Sequence, residues 1–164
     1  MGFICEDAAS NWYNNAMKLV VQRVESCTVE TSENKKIVGS IECGLFILIG
    51  IKKGDTVDTA IKLARKVANL RIFSDTNGKM NHSALDQSKS ILVVSQFTLN
   101  ADTSRGQRPS FVTAEQPRRA QALYMEFVSE LKSFGIDVQT GKFGEYMKIQ
   151  TELDGPVTIL FDEK

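Results

Sequence analysis

Ser95, Gln96 and Thr98 lie in the stretch Ile91 to Leu99, I-L-V-V-S-Q-F-T-L, and place two hydroxyls and an amide where an apolar run turns polar. Four consecutive apolar residues followed by alternation read as a strand buried on both faces that then emerges. At such an exit, backbone N–H groups lose their ladder partners and are free to hold a carbonyl oxygen or an oxyanion. The plain alternative is a set of satisfied polar residues leading into a loop. Arg105 and Arg108 follow in the Gly- and Pro-marked loop Ala101 to Phe111, where an anion could be bound, although loop arginines are most often surface charge. Gly155-Pro156 is the other unusual feature. An X-Pro bond has an appreciable cis population, and glycine before it frees the direction of the neighbouring carbonyls. A simple turn between strands accounts for the same dipeptide.

Other chemistries lack their residues. The single histidine, His82, sits in a polar stretch with no nucleophile elbow nearby, so a Ser-His-Asp triad has no visible partners. One His and three scattered Cys supply no ordinary zinc set, and no metal or cofactor is called for. Neither G-x-x-x-x-G-K-[ST] nor G-x-G-x-x-G occurs. An enzyme with so few acids and bases would work by placing backbone donors, excluding water and borrowing a reactive group from its substrate.

The elements that must position these residues follow from periodicity. Met17 to Glu25 alternates as a first strand, and Cys27 to Glu30 with Ile37 to Ile41 reads as a hairpin around Ser32 to Lys35. Gly44 to Ile51 is a continuous apolar run suited to a central strand. Asp55 or Thr56 can cap a helix with Val57, Ile61, Ala64 and Val67 or Ala68 inward, leaving Lys62, Arg65 and Lys66 on a basic face. Leu70 to Phe73 resumes strand character, and Asp75 to Gly78 is a turn without the downstream ligands of a calcium loop. Pro117 opens a second helix that buries Ala120, Leu123, Phe127, Val128 and Leu131 and stops at Gly135. Asp137 to Glu163 reads as two or three strands, interrupted at Asp154-Gly155-Pro156. The start is expected to be largely antiparallel.

Lys+Arg and Asp+Glu both number 20, so a nucleic acid would have to be met by a local patch. No apolar run approaches the roughly 20 residues that cross a bilayer. The odd cysteine count, Cys5, Cys27 and Cys43, fits free thiols and a cytoplasmic setting. Residues 1–16 are expected to form a loose extension before one domain over residues 17–164, and they have neither the basic n-region nor the apolar h-region of a secretory signal.

Several short runs are collinear with one family. V-V-S-Q-F-T-L at Val93 to Leu99 and D-G-P-V-T at Asp154 to Thr158 resemble D-aminoacyl-tRNA deacylase, the homodimeric enzyme that removes D-amino acids mischarged onto tRNA. M-K-L-V-V-Q-R-V at Met17, R-K-V-A-N-L-R-I-F at Arg65, D-T-N-G-K-M-N at Asp75, R-G-Q-R-P-S-F at Arg105 and T-G-K-F-G at Thr140 resemble it in the same order. The resemblance implies an α/β (α+β) fold in which curved antiparallel sheets form a barrel-like core with two helices. It further implies active sites at a homodimer interface that receive the acceptor end of D-aminoacyl-tRNA, with no membrane and no cofactor. Ser95, Gln96, Phe97 and Thr98 would form the catalytic segment, with main-chain N–H groups around Gln96 and Phe97 holding the scissile carbonyl. Gly155 and Pro156 would be cis, inserted from the partner subunit to reject L-side chains, and Arg23, Phe143, Gly144 and Met147 would complete the substrate side. Where the family usually has Asn, two positions before the glycine, this chain has Leu153; Arg23 is then expected to support the loop.

Two mechanisms are compatible with the resemblance. Thr98 could be a nucleophile, but no base is visible to activate it. The favoured expectation is that the terminal ribose 2′-hydroxyl activates water while the protein orients the ester. A noncatalytic nucleic-acid-binding module using the basic helix face with Arg105 and Arg108 is the alternative reading; a deacylase subclass with a trans Gly-Pro and relaxed chirality ranks lower, because its active-site strand differs from S-Q-F-T-L.

Overall fold

The computed structural model describes residues 17–162; the extension expected for residues 1–16 lies outside them. The chain runs β1 (Lys18–Thr31), β2 (Ile37–Ile41), β3 (Gly44–Gly50), α1 (Val57–Ala68), β4 (Phe73–Ser74), β5 (Met80–His82), β6 (Ser90–Ser95), a 3-10 turn (Phe97–Asn100), α2 (Pro117–Ser133), β7 (Val138–Thr140) and β8 (Met147–Phe161). It is α+β, with two helices and one large curved sheet.

The long β1 organises the sheet. Its first half, Lys18 to Val24, pairs antiparallel with β3, its second half, Cys27 to Glu30, with β2, and its other edge carries β8 throughout. The expected first strand and the first arm of the hairpin are therefore one strand that changes partner half-way. β3 pairs with β6 and β6 with β7, both parallel, so the sheet is mixed rather than purely antiparallel. The reason is connectivity: α1 carries the chain from β3 to β6 and α2 from β6 to β7, and a crossover helix returns a strand in the same direction. β2 and β7 approach each other closely, since a Cβ on Gly39 would stand 2.8 Å from the Thr140 carbonyl oxygen, and the sheet is thus nearly closed into a barrel.

Alternation along the strands divides the core in two. Leu45, Ile47 and Ile49 of β3, with Ile91 and Val93 of β6, pack under the helices against Ala64, Val67, Phe127 and Leu131. Phe46, Leu92 and Val94 point the other way and meet Val24, Cys27, Val29 and Ile41 inside the curl. α1 begins where the Thr56 hydroxyl accepts from the Thr59 N–H at 3.2 Å. α2 opens on Pro117 and ends before Gly135, whose φ of +76° suits a residue without Cβ.

Three strand boundaries differ from their expected places. β6 stops at Ser95, and the chain turns into 3-10 geometry through Thr98 and Leu99. Leu70 to Ile72 is not a strand, because its carbonyl at Ile72 accepts from the Arg23 guanidinium at 2.6 Å instead of a neighbouring ladder. The last segment is β7 and one continuous 15-residue β8, in which Asp154 to Val157 bulges opposite Arg23. Cys27 and Cys43 are free thiols, Cys27 buried.

Candidate active site

The polar end of β6 is fixed from its backbone. The Gln96 N–H donates to the Ile49 carbonyl at 2.8 Å, the last bond tying this segment to β3. The chain then folds over Gly50, where a Cβ would meet both the Gln96 carbonyl oxygen and the Leu99 Cβ at 2.9 Å. Only glycine allows that approach. Asn100 anchors the far side: buried, it donates from Nδ2 to the Ile51 carbonyl at 2.9 Å, while its own carbonyl accepts from the Thr113 hydroxyl at 2.9 Å. Of the two N–H groups expected to face a carbonyl, that of Gln96 is thus already engaged. Phe97 and Thr98 open the 3-10 turn, where backbone donors have no intrahelical acceptor.

Side chains complete a surface without an obvious base. The Gln96 amide Nε2 donates to the Thr98 hydroxyl oxygen. Phe97 and Thr98 are exposed, and the Phe97 ring meets Phe111 edge-on with centroids 5.2 Å apart. Beneath the site, the buried Tyr124 hydroxyl donates to the Val93 carbonyl at 2.9 Å, and burial raises the phenol well above its usual range. Its ring meets Phe143 at 5.9 Å. The Gly141 N–H also reaches the Val93 carbonyl, at 3.0 Å, and a Cβ on Gly141 would stand 2.9 Å from the Met147 sulfur. Phe143 and Gly144 therefore belong to the connection from β7 to β8, and Met147, the first residue of β8, packs against Gly141 at the Ser95 end of the sheet. Among the described residues no group of three or more His, Cys, Asp or Glu could hold a metal ion.

Gly155 and Pro156 lie elsewhere. Their peptide bond is cis, both residues are exposed, and Gly155 has a φ of +119°. Arg23 holds the loop from β1. Its Nη2 donates to Asp154 Oδ1 at 3.3 Å, and its Nε stands 2.6 Å from Oδ2, close enough for charge pairing although off the line of a hydrogen bond. With its side chain only 11% exposed and Nη1 on the Ile72 carbonyl, Arg23 is turned onto the loop. Arg23 is level with Leu45 and Ile91, at the opposite end of the strands from Ser95, and β8 lies three strands from β6. At about 3.3 Å per residue and about 4.8 Å per strand, the path along the curved sheet between the two halves of the expected site is roughly 20 Å within one chain.

Residues 20–162 match the family described as D-Tyr-tRNA(Tyr) deacylase. The chain belongs to that family. It is 50% identical over 149 residues to the D-aminoacyl-tRNA deacylase of Thermosipho melanesiensis, covering 90% of this chain and 98% of that protein. The D-aminoacyl-tRNA deacylase of Aquifex aeolicus is 49% identical, with 90% and 99% covered. Among solved structures, the c-Myc DNA unwinding element binding protein superposes with a TM-score of 0.82 at 35% identity, covering 90% of this chain and 99% of that one. A probable eukaryotic D-amino acid tRNA deacylase superposes at 0.79 with 17% identity over 89% and 98%, a likeness of fold alone.

Residue types pointed to the polar turn at Gln96 to Thr98 but not to its supports. Gly50 ends an apolar run and could have been read as a simple strand stop. Asn100, Asp154 and Tyr124 act through contacts distant in sequence, which no local pattern announces.

Proposed function

We propose that this member of the deacylase family hydrolyses the ester of D-aminoacyl-tRNA, releasing D-amino acid and tRNA. One observation carries the reading: a rigid backbone turn at Phe97 and Thr98, held by Gln96, Gly50 and Asn100, that presents main-chain donors beside exposed polar groups with no side-chain base. Such a turn can fix a carbonyl and stabilise the charge that develops on it. The attacking water is activated by the ribose 2′-hydroxyl of the substrate, since the Thr98 oxygen is engaged by the Gln96 amide and lacks a base.

The site is built from two subunits. Ser95 to Thr98 and Gly155-Pro156 stand on strands separated by β1 and β3 in one chain, at different levels of the sheet, and a second copy can bring its own Gly155-Pro156 to the turn. β8 supports this arrangement. Its outer edge is unpaired among the described residues, and it exposes Leu153 at 42% and Leu160 at 68%. At the turn, the partner loop would exclude an L-side chain by contact, so selection rests on rejection. Residues 17–164 act as one domain in this reading. No helix among the described residues is long and apolar enough to cross a membrane, and a tRNA substrate supports a cytoplasmic location.

The name of the relative at 35% identity keeps a noncatalytic nucleic-acid-binding role as a second reading. It is weakened at the basic helix face, where Arg65 is paired with Glu130 at 2.7 Å. Incubation of purified protein with excess D-tyrosyl-tRNA decides between them. Release of many equivalents of free D-tyrosine supports the deacylase; retention of intact ester in a salt-sensitive complex supports the binder.

A further inference from the structure

We infer that the loop from Thr103 to Pro109, together with the Phe111 ring, is a docking platform for the single-stranded 3′ end of the tRNA, upstream of the nucleotide that carries the ester. The inference rests on the deacylase reading of the neighbouring turn. The loop is closed at its base by reciprocal backbone bonds between Asp102 and Ser110, at 2.8 and 2.9 Å, and Asp102 Oδ1 also accepts from the Ser104 N–H at 2.9 Å. Gly106, with a φ of +70°, bends the tip. Seven residues between those closing bonds let the tip stand about 12 Å from its base. Arg105 and Arg108 are both exposed there, a local patch of the kind that a chain without net charge needs to meet phosphates.

The base of the loop is fastened to the catalytic turn. Phe111 follows the closing bonds directly and packs edge-on against Phe97, and Thr113 then bonds the Asn100 carbonyl at 2.9 Å. Both rings are exposed, Phe97 at 56% and Phe111 at 39%, and the adjoining Val112 at 72%. Two solvent-facing aromatic rings are poorly placed for stability, but they are suited to the flat face of an unstacked base. A single-stranded RNA end offers that base and, behind it, phosphates within reach of two guanidinium groups. With the ester carbonyl at the Phe97 turn, the preceding base meets the Phe111 ring and the phosphates beyond it meet Arg105 and Arg108. The loop thereby adds affinity for tRNA without contacting the reacting atoms.

The test compares two substrates, D-tyrosyl-tRNA and the 3′-D-tyrosyl ester of adenosine, which keeps the ribose hydroxyl and lacks the upstream nucleotides. The Arg105→Ala/Arg108→Ala double variant is expected to raise KM for the tRNA by tenfold or more with kcat unchanged, and to flatten the dependence of log kcat/KM on log salt by about 1.4, two phosphates at ~0.7 each. Its kinetics on the adenosine ester should equal those of the unmodified protein. Phe111→Ala should raise KM for the tRNA by about 5- to 100-fold, with Phe111→Tyr restoring it. Equal losses on both substrates would mean that the loop merely supports the turn, and unchanged kinetics on both would mean that it meets no RNA; either overturns the inference. If the unmodified protein hydrolyses neither ester, it is the deacylase reading that fails.

Discussion

At the scale of single residues, Thr98 and Asp55 make opposite uses of polar chemistry. Thr98 is exposed, and its oxygen accepts a hydrogen bond from the Gln96 amide, an arrangement that holds the hydroxyl without raising its nucleophilicity. Thr98→Ala should therefore keep kcat within about tenfold, a loss of no more than ~1.4 kcal/mol in the barrier. A tRNA ending in 2′-deoxyadenosine should instead be cleaved at least about a hundredfold more slowly. A dead, folded Thr98→Ala protein, or unimpaired cleavage of the deoxy substrate, would reverse the assignment. Asp55 is fully buried between β3 and α1, with Oδ2 accepting from the Lys52 N–H at 2.6 Å and Oδ1 unpartnered. Burial pushes its carboxyl up to about 6, against the pull of the Lys52 N–H. Because the folded state holds this proton more tightly than the unfolded chain, the associated stability is present below about pH 4 and is lost as pH rises through about 6. The loss amounts to about 3 kcal/mol at ~1.4 kcal/mol per pH unit. Asp55→Asn, which keeps an acceptor for Lys52, should flatten the fall in unfolding free energy between pH 4 and 7 in urea titrations; an unchanged slope would show that Asp55 ionises normally.

At the scale of elements, the turn after β6 and the Gly155-Pro156 loop are each fixed by a strand other than their own. The turn depends on Gly50 of β3, and the loop on Arg23 of β1, whose forked guanidinium reaches Asp154 and the Ile72 carbonyl together. A lysine has the charge without the fork. Arg23→Lys should lower stability by about 1–3 kcal/mol and relax the rejection of L-tyrosyl-tRNA, while a variant with unchanged stability and selectivity would remove Arg23 from this role. Periodicity located both helices and the central strands, because their buried faces repeat at 3.6 or 2 residues, although α1 buries Ala60 and Leu63 in place of the expected Val57 and Ile61, with Val57 45% exposed. It misplaced the end of β6, since the switch to a 3-10 turn is dictated by the missing Cβ of Gly50 some 46 residues upstream of Gln96. It also divided β8 at Asp154, where Arg23 holds a bulge within a continuous strand. The parallel pairing of β3 with β6 was present in the strand, helix, strand order, whereas the partner change within β1 had no local signal.

At the scale of the whole molecule, one curved sheet separates the two segments proposed to form the site. The turn sits at one end of β6, the Gly155-Pro156 bulge within β8 at the level of the other end of β6, and the exposed edge of β8 offers a surface on which a second copy can complete the proposed site. Under the proposed two-subunit reading, chirality is read by fit between backbones, with the ester held by one subunit and the side chain screened by the other. Gly155 is where this screen is most sensitive, because a Cβ there would come within 2.9 Å of the Val157 side chain and 3.5 Å of Arg23 Nη2. The direct measurement is the rate of tyrosine release from D-tyrosyl-tRNA and L-tyrosyl-tRNA by the unmodified protein and by Gly155→Ala. The unmodified protein should cleave only the D-ester rapidly, and Gly155→Ala should reduce the D-to-L ratio by about tenfold or more, ~1.4 kcal/mol of lost discrimination. Equal cleavage of both esters by the unmodified protein, or full discrimination retained in Gly155→Ala, would contradict it.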